Sequence, residues 1–207
     1  MKSNAAQCAK CPVKRCRTLD EDTKLPDFCP TQNYPVLIKE SVETNKTDPE
    51  VRKINLAWAE LSKKVSQNKY SWTRLDEVME YAKIRGVKKI GVATCIGLLS
   101  EAKQLTNILE RHGFDVVSVS CLAGEVTPED VDIVRKGIFC NPIVQAGVLN
   151  QERTELNIML GLCIGHDILF QRYSEADATT LVVKDKALGH NPVAALLLSD
   201  SYYHNRF

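Results

Sequence analysis

Four of the eight cysteines open the chain as Cys8-x2-Cys11-x4-Cys16-x12-Cys29-Pro30. A Cys-x2-Cys pair lets two thiolates converge on one inorganic guest, and Cys16 and Cys29 complete a set of four. Two guests take four thiolates: a tetrahedral structural zinc ion and a [4Fe–4S] cluster. Zinc ribbons usually pair two Cys-x2-Cys knuckles, and this segment has one. Three close cysteines followed by a remote Cys-Pro read more readily as cluster ligands, with zinc as the alternative. Lys14, Arg15 and Arg17 surround Cys16. They read as a solvated basic face, or as cations offsetting a negatively charged thiolate centre.

The other four cysteines are Cys95, Cys121, Cys140 and Cys163. Cys95, Cys121 and Cys163 each follow an expected strand and stand in a glycine-containing turn. Strand C-termini of a parallel sheet share one edge, the edge where open α/β sheets bind ligands. Cys140, in Phe139-Cys140-Asn141-Pro142, can return to the same edge. The set is therefore a candidate second metal or cofactor site. Packed core thiols or a redox pair are the competing reading.

Three further residues near that edge are candidates for chemistry. His166 follows in Cys163-x2-His166-Asp167, either as a ligand backed by Asp167 or at the capped start of a helix. Lys184, in Lys184-Asp185, can neutralise an anion. His190 can serve as a ligand or a general acid/base, while Asp185 and Asn191 suit turn and cap roles. His112, before Gly113, fits a helix C-terminus, and His204 carries no assigned role.

The elements that must position these residues follow from periodicity. Val51, Ile54, Trp58, Leu61 and Val65 recur at helical spacing, with Asp48 as N-cap and Pro49 at the first helical position. A helix over 72–85 follows, with Thr73 able to cap it. Strands are expected at 88–94, 114–120, 156–162 and 179–184. Helices are expected at 98–111, from Thr127 to near Gly137, at 142–151, at 166–174 and at 193–203. Strands alternating with helices mean right-handed βαβ units. The expected fold is a Rossmann-like α/β parallel sheet of about four strands with flanking helices, over residues 37–207 together with a helical lead-in. A Cys-rich, metal-stapled module over residues 1–36 precedes it, a segment with few apolar residues to bury.

Composition narrows the function. At 207 residues and 44% hydrophobic, the chain can build its own core. Lys+Arg 27 against Asp+Glu 26 lacks the basic excess that phosphate neutralisation needs, so no nucleic-acid partner is expected. No apolar run approaches a membrane span, and Met1 to Gln7 lacks the apolar core of an export signal. A cytoplasmic location with reduced thiols is expected. Neither a P-loop nor a dinucleotide fingerprint occurs, and there is no serine nucleophile elbow.

The combination of Cys8-x2-Cys11-x4-Cys16…Cys29-Pro30 with four later motifs is specific. Those motifs are Ala93-Thr94-Cys95-Ile96-Gly97, Phe139-Cys140-Asn141-Pro142-Ile143, Gly161-Leu162-Cys163-Ile164-Gly165-His166-Asp167, and Val183-Lys184-Asp185…Gly189-His190-Asn191-Pro192. Over nearly the whole chain they resemble a family of small cysteine-rich proteins of bacteria and archaea, many from anaerobes. Its members carry a domain of unknown function, number eighteen forty-seven, and are described as predicted metal-binding proteins. The resemblance implies metal binding, with ligands at the four N-terminal cysteines and, less directly, at the later Cys and His positions. It carries no established reaction. Carbon monoxide dehydrogenases and hybrid-cluster proteins offer a looser architectural analogy, with cluster ligands at strand ends.

The expected function is an iron–sulfur protein of anaerobic metabolism with a redox or small-ligand site at the sheet edge, served by a redox partner protein. The alternative is a zinc-stabilised, non-enzymatic binding or metal-trafficking protein.

Overall fold

The computed structural model describes residues 5–18, 20, 22–69, 71–134 and 136–207. Contacts divide the chain into two units, Met1–Ala59 and Glu60–Phe207.

In the first unit, a 3-10 turn at Cys8–Lys10 is followed by α1 (Arg15–Thr18), α2 (Pro30–Asn33), α3 (Pro35–Thr47) and the first half of α4 (Pro49–Gln67). Proline starts α2, α3 and α4, where its fixed φ suits the helix and its missing N–H costs nothing. Asp48 Oδ1 accepts the amides of Glu50 at 2.9 Å and Val51 at 3.1 Å, the capping role its sequence position implies. Helix α3 has no counterpart among the expected elements, and residue 36 falls at its start. None of its residues is buried, so no apolar stripe announces it. Its sequence signals are Pro35 at the first position and an interior free of glycine and proline.

The second unit holds α5 (Arg74–Arg85), β1 (Lys89–Thr94), α6 (Leu99–Arg111), β2 (Asp115–Ser120), α7 (Pro142–Gln151), β3 (Leu156–Leu160), α8 (His166–Tyr173), β4 (Asp177–Val182) and α9 (Val193–Leu197). The four strands form one sheet in the order β2-β1-β3-β4, with every pairing parallel. The α/β class and the four-stranded parallel sheet are as the sequence predicts.

Strand alternation sends side chains to two faces. Ile90 and Val92 of β1 and Leu156, Ile158 and Leu160 of β3 pack with Val78, Met79 and Ala82 of α5 and with Ala102, Leu105 and Leu109 of α6. Ala93 and Met159 point the other way, against Ala146 and Leu149 of α7 and Phe170 of α8. With both faces covered, β1 and β3 are buried along nearly their whole length, as parallel strands require. Burial of these side chains is the main force holding the sheet and helices together.

Two expected helices differ. From Thr127 to near Gly137 only a 3-10 turn at Glu129–Val131 forms, residue 135 lying outside the described residues. Asp132 takes a left-handed φ of 55°, and Val131, Ile133 and Val134 stay exposed. The left-handed Asp132 breaks the helical hydrogen-bond ladder after one turn. The last helix stops at Leu197, and turns continue to residue 206. Among the described residues no helix is long and apolar enough to cross a membrane.

Candidate functional site

In the first unit, Cys8, Cys11, Cys16 and Cys29 all line one cavity of about 330 Å³. Local structure sets each of them. Cys8 and Cys11 bracket a 3-10 turn closed by the Cys11 amide on the Cys8 carbonyl at 3.1 Å. Cys16 lies on α1, and Cys29 precedes Pro30 at the start of α2. Val13, Leu25 and Phe28 complete an apolar wall. Arg15, on the same wall, donates from Nη1 to the Thr23 carbonyl at 3.0 Å. Burial pushes the Cys29 thiol up. Hydrogen bonds from the Thr31 side chain and from the amides of Thr31 and Gln32, with the Arg15 charge, outweigh it and bring the thiol below its ordinary value. All four side chains are free thiols. Thiol is the side-chain type that both an iron–sulfur cluster and zinc take as donor, although among the described residues, these four included, no three His, Cys, Asp or Glu side chains are grouped so as to hold a metal ion.

In the second unit, the strand ladders carry the later cysteines. The Cys95 amide extends the β1–β3 ladder to the Leu160 carbonyl at 3.2 Å. The Cys121 amide extends the β1–β2 ladder to the Thr94 carbonyl at 2.9 Å. With Thr94 paired to Ser120, Cys95 and Cys121 stand opposite one another, one residue past the strands. Gln145, fully buried on α7, donates from Nε2 to the Thr94 carbonyl at 3.1 Å and the Val119 carbonyl at 2.7 Å. It ties the ends of β1 and β2 together beside the two thiols. Its Oε1 has no hydrogen-bond partner.

Cys140 reaches this edge by its return loop. The Asn141 amide donates to the Cys121 carbonyl at 2.8 Å, and the Asn141 side chain caps α7 by accepting from Val144 N at 3.1 Å. Cys121 interacts with both Cys95 and Cys140. Cys163 has a different offset from its strand. It lies three residues beyond β3, past Gly161 and Leu162, whereas Cys95 and Cys121 lie one residue beyond their strands. Among the described residues, no three His, Cys, Asp or Glu side chains are grouped at the spacing of a single metal ion.

Lys184, two residues past β4, crosses the end of β3 to put its Nζ 2.7 Å from Cys95 Sγ. Two glycines lie beside it. A Cβ on Gly161 would stand 3.9 Å from Lys184 Cδ and 2.1 Å from Leu98 Cδ1, and its φ of +64° favours glycine. A Cβ on Gly97 would stand 3.9 Å from Cys95 Sγ and 4.0 Å from Lys184 Nζ.

Burial pushes the Cys95 thiol up. The Lys184 hydrogen bond, the Gly97 amide, the Lys184 charge and the Cys121 thiol outweigh it, and the net shift is downward. Cys121 goes the other way, pushed up to about 12 by burial and by the Cys140 and Cys95 charges, against the lowering effect of the Ile96 amide at 3.3 Å. Of the pair, Cys95 is thus the more readily ionised thiol and Cys121 the less readily ionised. This division was not legible in the sequence. Its signal was a lysine and a cysteine at strand ends flanking one intervening strand.

The histidine candidates have other settings. His166 begins α8, its ring edge-on to Phe139 at 6.3 Å. Asp167 Oδ1 accepts the amides of Gly165 at 3.0 Å and Ile168 at 2.8 Å, the helix-start role. His190 has a left-handed φ of 66° and is held by Asp185. Its amide donates to the Asp185 carbonyl at 2.7 Å, and its Nδ1 accepts the Asp185 amide at 3.1 Å. That acceptor role places the proton of the neutral ring on Nε2. The Asp185 carboxylate closes the turn by accepting the Ala187 and Leu188 amides, each at 3.0 Å.

A family model described as "Protein of unknown function (DUF1847)" matches residues 29–181. The match takes in Cys29 and the four sheet-edge cysteines, while Cys8, Cys11 and Cys16 precede it. The chain is also 48% identical over 151 residues to the "uncharacterized protein MJ0455" of Methanocaldococcus jannaschii, an alignment covering 69% of this chain and 76% of that protein.

Proposed function

The chain belongs to the DUF1847 family, and we propose that it is an iron–sulfur protein with a redox or small-ligand thiol site at the C-terminal edge of its sheet. The observation that carries this reading is the shared cavity of Cys8, Cys11, Cys16 and Cys29. Cys8, Cys11, Cys16 and Cys29 are the residues that would hold a [4Fe–4S] cluster, which supplies one-electron chemistry when bound. Val13, Leu25 and Phe28 line the cavity beside the sulfurs, and Arg15 would offset part of a thiolate centre's negative charge. Thr31 and Gln32 hydrogen-bond Cys29 and keep its sulfur ready to ligate.

The cavity, at about 330 Å³, is roomier than one ion needs. A lone zinc ion would require the four sulfurs to close to Zn–S bonds of about 2.3 Å. The test is the ultraviolet–visible spectrum of protein purified without oxygen. The cluster reading expects a brown protein with broad absorption that is lost in Cys11→Ser. A colourless protein carrying zinc would replace that reading with a zinc-stapled one.

A further inference from the structure

We propose that Cys95, paired with Lys184 and facing Cys121, is a nucleophilic thiol that exchanges with small disulfides and ends as a reversible Cys95–Cys121 disulfide. The inference rests on the reading of the sheet edge as a thiol site, and is independent of any metal in the first unit.

Three features converge on it. First, Cys95 and Cys121 extend paired strands in register, so their Cα atoms are separated by about one strand spacing, roughly 4.8 Å. That lies within the range a disulfide spans. Hydrogen bonds from Gln145 to the Thr94 and Val119 carbonyls hold the two strand ends at this spacing. Second, the Lys184 ammonium sits on Cys95 Sγ and not on a carboxylate. A cation held on a sulfur stabilises the thiolate, the form that attacks. Third, there is a way in. Cys95 is 7% exposed, and the two residues that follow it, Ile96 and Gly97, are exposed. A Cβ on Gly97 would stand 3.9 Å from the sulfur and 4.0 Å from the ammonium, so both lie beside this exposed position.

The exchange balances as two displacements. Cys95 thiolate attacks one sulfur of the incoming disulfide, the S–S bond breaks, and one thiolate leaves. Cys121 then gives its proton to solvent and attacks Cys95 Sγ, releasing the second half as a thiolate that is protonated in turn. Two protein thiols are oxidised and one disulfide is reduced to two thiols. The first step helps the second. Once Cys95 carries a mixed disulfide, its negative charge no longer opposes ionisation of Cys121.

The probe is oxidised glutathione, added without oxygen to the full chain. The readout is peptide mass mapping after rapid alkylation of the remaining thiols. The expected product is a Cys95–Cys121 disulfide that dithiothreitol reverses. Cys121→Ser should arrest with one glutathione held on Cys95. Lys184→Met should slow the reaction about tenfold, the loss of one charge-assisted hydrogen bond, and Lys184→Arg should restore part of the rate. Gly97→Val should slow entry while leaving the alkylation pH profile of Cys95 in place. The proposal is overturned if folded protein leaves Cys95 unmodified, or if Cys121→Ser holds no adduct on Cys95. It is also overturned if Lys184→Met, folded by circular dichroism, reacts as fast as the parent. Iron content, measured on the same samples, reports separately on the cluster reading. A colourless protein that still forms the Cys95–Cys121 disulfide removes the cluster and keeps this site.

Discussion

Lys184 Nζ stands 2.7 Å from Cys95 Sγ, though 89 residues separate the two in the chain. The contact exists because the sheet order puts β3 between β1 and β4, with Gly161 at the end of β3 beside the lysine stem. In open α/β sheets, ligands gather where the strand connections diverge. Here that point lies between β1 and β3, where Cys95 sits.

Thiol titration gives the most direct view of this pair. Alkylation of Cys95 by iodoacetamide should reach its plateau at a lower pH than an ordinary thiol, because its pKa is lowered. Cys121, at about 12, should stay unreactive through neutral pH. Lys184→Met should move the Cys95 midpoint upward, since burial then acts without the cation. Site-resolved alkylation rates between pH 5 and pH 10 check it. An unchanged midpoint in Lys184→Met would contradict the assignment.

The two glycines under the lysine should respond in opposite ways. Gly161→Ala puts a Cβ 2.1 Å from Leu98 Cδ1 at a φ of +64°. It should cost about 1–3 kcal/mol in urea unfolding, through strain and overpacking. Gly97→Ala makes only ordinary contacts, the nearest at 3.9 Å, and should stay within about 0.5 kcal/mol of the parent.

Acid should loosen the sheet through Glu155. Its carboxylate accepts the amides of Lys89 at 2.8 Å and Lys88 at 2.7 Å, which hold its pKa below the ordinary carboxylate value. A depressed folded-state pKa contributes stability above the unfolded-state value, about 4.3. That contribution fades as pH falls through the folded-state pKa. Glu155→Gln should therefore lower the melting temperature at pH 7, and the difference from the parent should shrink as pH falls through the lowered folded-state pKa.

Most of the fold was legible because its elements are strongly periodic and fully covered. β1, β3 and α6 carry apolar residues at the spacing their burial demands, and α4 was legible from its periodicity although only its Ala57 is buried. Helix α3 was not, because it buries nothing. The helix expected after Thr127 stops after one turn, where Asp132 takes a left-handed conformation that the apolar pattern does not announce. At the sheet edge, the convergence of Cys95 and Cys121 follows from strand order alone, and Cys140 is drawn in by one backbone hydrogen bond to Cys121. Cys163 follows β3 by three residues, two more than separate Cys95 and Cys121 from their strands. The Lys184–Cys95 contact depends on a long side chain crossing a strand, which no local pattern encodes.

The central claim concerns the four cysteines around the first unit's cavity. Iron, zinc and acid-labile sulfide should be counted per chain in protein prepared without oxygen. The account predicts about four iron and about four sulfide per chain, the content of one [4Fe–4S] cluster, with both lost in Cys11→Ser. Protein free of iron and sulfide, whether it carries zinc or no metal at all, would contradict it.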